Sequence, residues 1–213
     1  MDNASTDRTA EIAQGWGARV IRIEDKCLSI IRNRGAAQAT GKYLAFIDAD
    51  SIMDDNMLVE INRAMESGRY IGGGVARVRA DRLSFGMVCS AIAVAPLILK
   101  SGVSCVMFYT TPAAFHAIGG FNEALYAVED LDFGRRLKRY GKERGLRFCN
   151  LWRAGITTSA RKADEYGDWF ILRHPIMIWK LFRNDHKAAY DFWYRPRRGR
   201  ESDEGRETRD VRE

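Results

Sequence analysis

Nineteen residues carry the strongest structural signal in this 213-residue chain: RNRGAAQATGKYLAFIDAD at positions 32–50. Residues 29–40 predict a helix, and Gly41 predicts its end, because glycine readily adopts the left-handed conformation that closes a helix. The apolar run at 43–47 predicts a strand that follows directly. Asp48-Ala49-Asp50 then lies where a buried strand leaves the core and meets solvent. A helix, a glycine stop and a strand in succession are typical of α/β proteins.

Two carboxylates follow that strand with one residue between them. Because alternate side chains of an extended chain point the same way, we expect Asp48 and Asp50 to face one ligand. Mg²⁺ and Mn²⁺ prefer a few protein oxygens together with substrate phosphates, and ligands of α/β sheets gather at the carboxyl ends of strands. The pair therefore suggests a metal or phosphate site. The motif alone has little specificity, since Asp130-Leu131-Asp132 repeats it in a helical pattern where residues two apart do not share a face.

Helix and strand patterns alternate along the rest of the chain. Predicted helices cover residues 9–14, 57–65, 112–119 and 129–140, and predicted strands cover residues 18–23, 70–78 and 104–109. Thr111-Pro112 is typical of a helix start, because proline lacks the N–H that a first helical residue leaves unpaired. This alternation predicts an α/β sheet flanked by helices.

Composition narrows the class of protein. With 46% apolar and 29% charged residues, the chain is predicted to form one globular domain with a short unfolded appendage. Its net charge of +6 is spread among charges of both signs, which favours a phosphate-binding pocket over a dedicated nucleic-acid surface. The four cysteines form no C-x-x-C pair and the three histidines have no ligand spacing, so a structural zinc site is not expected. The widely spaced cysteines favour a reducing compartment, so we expect a cytoplasmic protein. The longest apolar stretch, 87–99, is shorter than the roughly 20 residues that span a bilayer.

Glu129 and Asp130 begin the predicted helix 129–140. The unpaired backbone amides and the dipole at a helix start stabilise negative charge, which keeps at least one carboxylate ionised and available as a base. A carboxylate base on one element and a metal-binding pair on another are the minimum parts for transferring a group from a phosphate leaving group. Plain helix capping is the alternative interpretation of the same two residues.

Three motifs occur in order along the chain: DNASTD at 2–7, the stretch at 32–50, and GGFNEALYAVEDLDFGRRL at 119–137. Together they resemble glycosyltransferase family 2, whose members are inverting enzymes of GT-A fold, and the resemblance covers residues 2–160. It implies a single Rossmann-like GT-A domain of the α/β class over residues 1–165, with a mixed, mostly parallel central sheet flanked by helices.

The resemblance implies donor-side roles for five residues. Asp2 is expected to contact the nucleotide base or ribose, and Arg32 and Asn33 to lie beside the nucleotide. Asp48 is expected near the ribose and the metal. Asp50 is the expected direct ligand of a divalent cation, Mn²⁺ or Mg²⁺, that bridges the diphosphate.

The resemblance also implies the acceptor side of the reaction. Asp130 matches the base that deprotonates the acceptor hydroxyl, and Glu129 orients the acceptor. The implied reaction is a single displacement with inversion, which moves a sugar from a nucleotide-diphosphate sugar to a saccharide, lipid-linked or other hydroxyl acceptor. The rate enhancement is expected to come mainly from positioning of the reactants and from stabilisation of the leaving diphosphate by the metal.

Departures from the family pattern bear on activity. The family begins with a strand, a helix and a second strand ahead of the first motif, and Met1 stands where that second strand ends, so we expect an N-terminally truncated domain. An inactive or nucleotide-sugar-binding fragment without catalysis is therefore the alternative function. Ser51 follows the acidic pair where many relatives carry another Asp. No Q-x-x-R-W motif follows residue 130, so a processive polysaccharide synthase is not expected.

The chain changes character after residue 165. Residues 166–194 predict an amphipathic, aromatic helical segment that carries Arg173, Lys180 and Arg183 among apolar side chains. Packing against the domain is the default interpretation, and peripheral contact at the inner face of a membrane is the alternative. Residues 195–213 are rich in charge and glycine and predict a disordered tail. Nucleic-acid binding through the basic surface and this tail ranks last.

Two features near the predicted site keep two interpretations each. Arg161 either reaches the donor phosphates or is an exposed surface arginine. The apolar residues 87–99 either pack against the domain or help to hold the acceptor.

Overall fold

The computed structural model describes residues 1–25, 27–103, 106–183 and 185–193. The tail at 195–213, predicted to be disordered, lies outside the described residues. The described helices are α1 Thr9–Gly15, α2 Leu28–Gln38, α3 Met57–Glu66, α4 Phe85–Ser101, α5 Pro112–Ala117, α6 Glu129–Lys142, α7 Arg161–Tyr166, α8 Phe170–Arg173, α9 Pro175–Phe182 and α10 His186–Trp193. The described strands are β1 Leu44–Ile47, β2 Ser51–Met53, β3 Tyr70–Ala80, β4 Met107–Thr110 and β5 Arg147–Thr158.

The five described strands form one sheet in the order β1-β4-β3-β5-β2. β3 and β5 run parallel, whereas β1 and β4, β3 and β4, and β2 and β5 pair antiparallel. The prediction of a mixed sheet flanked by helices is confirmed, but the described strands are not mostly parallel. Helix–strand alternation predicts that the chain returns to the sheet after each helix, and it does not predict at which end. Here the strand that follows α4 runs antiparallel to β3 and pairs with its Gly72 and Gly73.

Element ends depend on more than local pattern. α2 ends at Gln38 and Ala39 is its extended C-cap, so the prediction that Gly41 ends this helix is wrong. The Thr111 prediction is confirmed, because its hydroxyl oxygen accepts the Ala114 N–H at 3.1 Å at the start of α5. A side-chain cap leaves a direct sequence signal, whereas the C-terminal end of α2 does not.

Two segments show that local sequence pattern alone does not decide which residues form strands. The predicted strand at 18–23 contributes only a parallel bridge between Asp2 and Arg22. β5 was not predicted, since its sequence RFCNLWRAGITT mixes apolar and polar residues without regular alternation. It nevertheless lies inside the sheet between β3 and β2. Pairing with both neighbours, rather than its own pattern, defines β5.

An aromatic cluster supports the start of α6. Phe121 and Phe133 stack with ring centroids 4.2 Å apart, and Phe46 of β1 packs edge-on against them at 5.1 and 6.2 Å. Phe133 is fully buried and follows Asp130 by three residues, which is about one helical turn. The cluster therefore fixes the first turn of α6 against β1.

The opposite face of the sheet packs against α3. Met57, Ile61 and Met65 of α3 are buried in a second apolar cluster that includes Tyr109 of β4. Phe108, the neighbour of Tyr109 along the strand, belongs to the aromatic cluster instead. Because successive strand residues point to opposite faces, the sheet has helices and a core on both sides.

Helices α4 and α8 to α10 carry apolar side chains on the surface. Phe85 of α4 is 76% exposed, and its ring lies 5.9 Å from that of Trp169, directly before α8. Helices α8 to α10 fall within the segment 166–194 predicted as helical. Among the described residues, no helix combines the length and the apolar character needed to cross a membrane.

Removal of the Phe133 ring should destabilise the domain. Phe133→Ala is expected to lower the free energy of unfolding by about 3–5 kcal/mol, because it leaves a cavity inside the aromatic cluster. Urea unfolding followed by tryptophan fluorescence measures the loss, with the exposed Phe85→Ala as the matched control. Equal losses in the two variants would contradict the packing described for α6.

Candidate active site

One buried arginine joins three carboxylates from two parts of the fold. The Arg32 side chain of α2 is 10% exposed, and its Nη2 donates to Asp48 Oδ1 at 2.8 Å. Its Nη1 donates to Asp130 Oδ1 at 2.5 Å and lies 3.6 Å from Glu129 Oε1. The guanidinium carbon lies 5.0 Å from the centroid of the Phe121 ring. Arg32 therefore holds the end of β1 against the start of α6.

The carboxylates of this cluster outnumber its cation. Burial raises the pKa of Asp130 to about 7, and the negative charges of Glu129 and Asp48 act in the same direction while Arg32 opposes them. Burial likewise raises the pKa of Glu129, with Arg32 again opposing. A carboxyl group whose pKa lies near neutrality is suited to accept a proton in catalysis. The geometry thus places a candidate base at the first turn of α6.

Asp48 and Asp50 lie in a turn and not in an extended strand. The Ser51 N–H donates to the Asp48 carbonyl oxygen at 3.1 Å, which closes the chain between β1 and β2. The expectation that the two carboxylates share a strand face is therefore wrong. Asp50 faces α7 instead, where Arg161 Nη2 lies 3.7 Å from its Oδ2.

The donor set of this turn fits a hard divalent cation. Among the described residues, Asp48 Oδ2 and both carboxylate oxygens of Asp50 make no hydrogen bond, and the two side chains are 39% and 38% exposed. Mg²⁺ commonly binds through one or two carboxylates and completes its shell with water and phosphate oxygens. Over the described ranges, no group of three or more His, Cys, Asp or Glu side chains could hold a metal. A cation here would therefore take its other ligands from water or a bound phosphate.

Asp2 is buried with one carboxylate oxygen unused. The residue is 7% exposed. Its Oδ1 accepts the Ser5 N–H at 3.3 Å, and its Oδ2 has no hydrogen-bond partner. Its backbone is fixed by bonds to Ile21 and Ile23, each at 2.9 Å. A buried oxygen without a partner is unfavourable, so this position favours a ligand that donates a hydrogen bond.

Asn33 clamps the loop that leads to α6. Its Oδ1 accepts the Phe121 N–H at 2.8 Å, and its Nδ2 donates to the Phe121 carbonyl and to Glu123 Oε1, both at 2.9 Å. A Cβ at Gly120, whose φ is +64°, would lie 2.6 Å from Asn33 Oδ1. The side chain predicted to lie beside the nucleotide thus holds residues 120–123 in place.

Arg136 is a second clamp that sequence reasoning missed. It pairs with Asp132 at 2.7 Å and donates to the carbonyl oxygens of Ile118 and Gly120 at 2.6 and 2.8 Å. This pairing also separates the two acids of Asp130-Leu131-Asp132, as the helical pattern predicted. The four-residue spacing from Asp132 to Arg136 was the available signal.

The sequence is similar to known glycosyltransferases. Residues 1–102 match the model of glycosyl transferase family 2, and this range contains Asp2, Arg32, Asn33, Asp48 and Asp50. Over 55 residues the chain is 40% identical to YibD, an uncharacterized glycosyltransferase of Escherichia coli strain K12; the match covers 24% of this chain and 16% of that relative. The match covers 102 of the 213 residues, so slightly less than half of the chain is similar to glycosyl transferase family 2.

Proposed function

We propose that this protein transfers a sugar from a nucleotide-diphosphate sugar to an acceptor hydroxyl, with inversion and with Mn²⁺ or Mg²⁺. The observation that carries the proposal is the Arg32 cluster, which joins Asp48 of the family-matched donor region to Asp130 at the start of α6. A donor site and a base therefore meet at one buried cation. The printed name of YibD, a glycosyltransferase, points to the same reaction class.

Asp130 acts as the base in the proposed reaction. The acceptor oxygen forms a bond to the anomeric carbon of the donor sugar, and the bond from that carbon to the diphosphate oxygen breaks. The hydroxyl proton passes to the Asp130 carboxylate, and the electron pair leaves with the nucleoside diphosphate. Because Arg32 holds Oδ1, Oδ2 is the oxygen available to the proton. Glu129, 3.6 Å from the same guanidinium, would orient the acceptor.

The donor lies along the opposite side of Arg32. The unpartnered Oδ2 of Asp2 would accept a hydrogen bond from the nucleotide. Asp48 and Asp50 would hold the cation, which neutralises the charge that develops on the leaving diphosphate. Arg161, 68% exposed and 3.7 Å from Asp50, would add a positive charge beside the phosphates.

Asp130→Asn should abolish transfer while leaving the donor site intact. We expect the rate to fall by about 10²–10⁴-fold, because the amide keeps the shape of the carboxyl but accepts no proton. Nucleoside diphosphate release from a panel of nucleotide sugars measures the rate, and Asp55→Asn, an exposed acid outside the cluster, is the control. The wild-type rate should rise with pH and level off above about 7, where Asp130 is ionised.

Three results would count against this assignment of the base. The first is sugar transfer by Asp130→Asn at the wild-type rate. The second is a wild-type pH–rate profile whose acidic limb falls near the ordinary carboxyl pKa of about 4. A wild-type chain that binds nucleotide sugar and Mn²⁺ without turnover would favour the non-catalytic alternative.

The turn that carries Asp48 and Asp50 should determine the affinity for the metal. Asp48→Asn and Asp50→Asn are each expected to weaken Mn²⁺ binding in the presence of nucleoside diphosphate by at least about tenfold, because each removes a charged ligand. Titration calorimetry gives the dissociation constants, and Asp55→Asn should match the wild type. Unchanged Mn²⁺ affinity in both turn variants would refute the metal site.

A further inference from the structure

An apolar cavity of about 850 Å³ lies between α4, α6, α8 and α9. Ala93, Val94, Leu131, Ile171 and Ile178 supply much of its wall. Its volume falls within the range of small-molecule sites, and its largely hydrocarbon wall suits an apolar chain. Neither the donor site nor the base uses this cavity.

Two guanidinium groups give the cavity an unbalanced positive charge. Arg135 and Arg183 line it and have no carboxylate partner among the described residues. Arg183 lies over the ring of Trp179, 4.7 Å from its centroid, which fixes its position beside the cavity. The one acid in the lining, Asp132, is already paired with Arg136 at 2.7 Å. The charge therefore favours an anionic group, and guanidinium is well suited to phosphate.

The helices around the cavity also expose large apolar side chains. Ile92 of α4 is 67% exposed, Ile176 of α9 is 72% exposed and Trp179 is 56% exposed. Isolated exposed apolar residues are common, but these lie on helices that form one cavity wall. A ligand taken from a lipid phase would meet an apolar surface before it reached the cavity.

The cavity and the candidate base share helix α6. Val128 and Leu131, on either side of the Glu129-Asp130 pair, both line the cavity. Residues of a helix turn by about 100° per position, so the carboxylates lie on a different side of α6 from the cavity. Asp130 is two residues from Val128 and one from Leu131, so it lies within about 3 Å of both lining residues along the helix axis.

We propose that the cavity binds the hydrocarbon chain of a lipid-phosphate-linked acceptor, with its phosphate at Arg135 and Arg183. The head group of that acceptor passes the start of α6 and presents a hydroxyl to Asp130. The assignment rests on the proposed function and names the acceptor class. A long alkyl or isoprenyl phosphate is the chemistry that satisfies both the apolar wall and the unpaired guanidinium groups.

Titration calorimetry with alkyl phosphates tests the cavity without donor or turnover. From butyl to decyl phosphate, below the micelle concentration, affinity should rise about fourfold per methylene until the cavity is filled. Ala93→Trp places an indole at an exposed position of the wall and should abolish the dependence on chain length. Arg135→Gln and Arg183→Gln should each weaken decyl phosphate binding about tenfold. Arg153→Gln, an exposed arginine of β5 outside the lining, should leave it unchanged.

Several outcomes would overturn the acceptor assignment. They are an affinity independent of chain length, equal binding of decyltrimethylammonium, and wild-type affinity in Ala93→Trp. Binding to phosphatidylglycerol vesicles that decyl phosphate does not displace would make the apolar surface a membrane contact instead.

The same titration separates this inference from the proposed function. Sugar transfer by a chain that binds no alkyl phosphate would reject the acceptor assignment alone. Alkyl phosphate binding by a chain that turns over no nucleotide sugar would reject the proposed function, and the acceptor role with it, while keeping the lipid-phosphate site.

Discussion

The buried charge of Arg32 is the constraint around which this structure is built. A guanidinium that is 10% exposed must keep its partners, because a buried charge without one costs several kcal/mol. Its partners come from the end of β1 and the start of α6, so neither element can shift without exposing or unpairing the charge. Phe121 beneath the guanidinium, and Asn33 one residue along α2, extend the same constraint to the loop before α6.

The electrostatics of this cluster connect the fold to its proposed chemistry. Burial, together with the negative charges of Glu129 and Asp48, raises the pKa of Asp130 to about 7, although Arg32 opposes the shift. Such a cluster gains stability from a proton on Asp130 or from a cation beside Asp48. A metal-dependent transferase with a general base needs both of these responses. Arg32 pairs with both acids and so keeps them close together, as the proposed function requires.

Local signals predicted the parts of the fold that are fixed locally. The helical spacing of α6, the Thr111 cap and the separation of Asp130 from Asp132 all follow from residues within one or two turns of each other. The turn at Asp48, the direction of β4 and the whole of β5 depend on partners far along the chain, so their own sequences did not predict them.

Sequence motifs predicted some features of the candidate site and not others. Its members Arg32, Asp48, Glu129 and Asp130 were named from motifs, and the structure brings these four together. The clamping contacts of Asn33 and Arg136 were not foreseen, because each joins a side chain to backbone atoms of a loop that no periodicity describes.

A double-mutant cycle between Arg32→Met and Asp130→Asn tests the central claim most directly. The free energies of unfolding of the wild type, both single variants and the double variant give the coupling between the two side chains. With Asp130 ionised at pH 8, the coupling should be at least about 1 kcal/mol, as for residues in one ion-pair network. It should shrink at pH 5, where folded Asp130 is protonated because its pKa is raised to about 7. Additive effects at pH 8, within about 0.3–0.5 kcal/mol, would contradict the account.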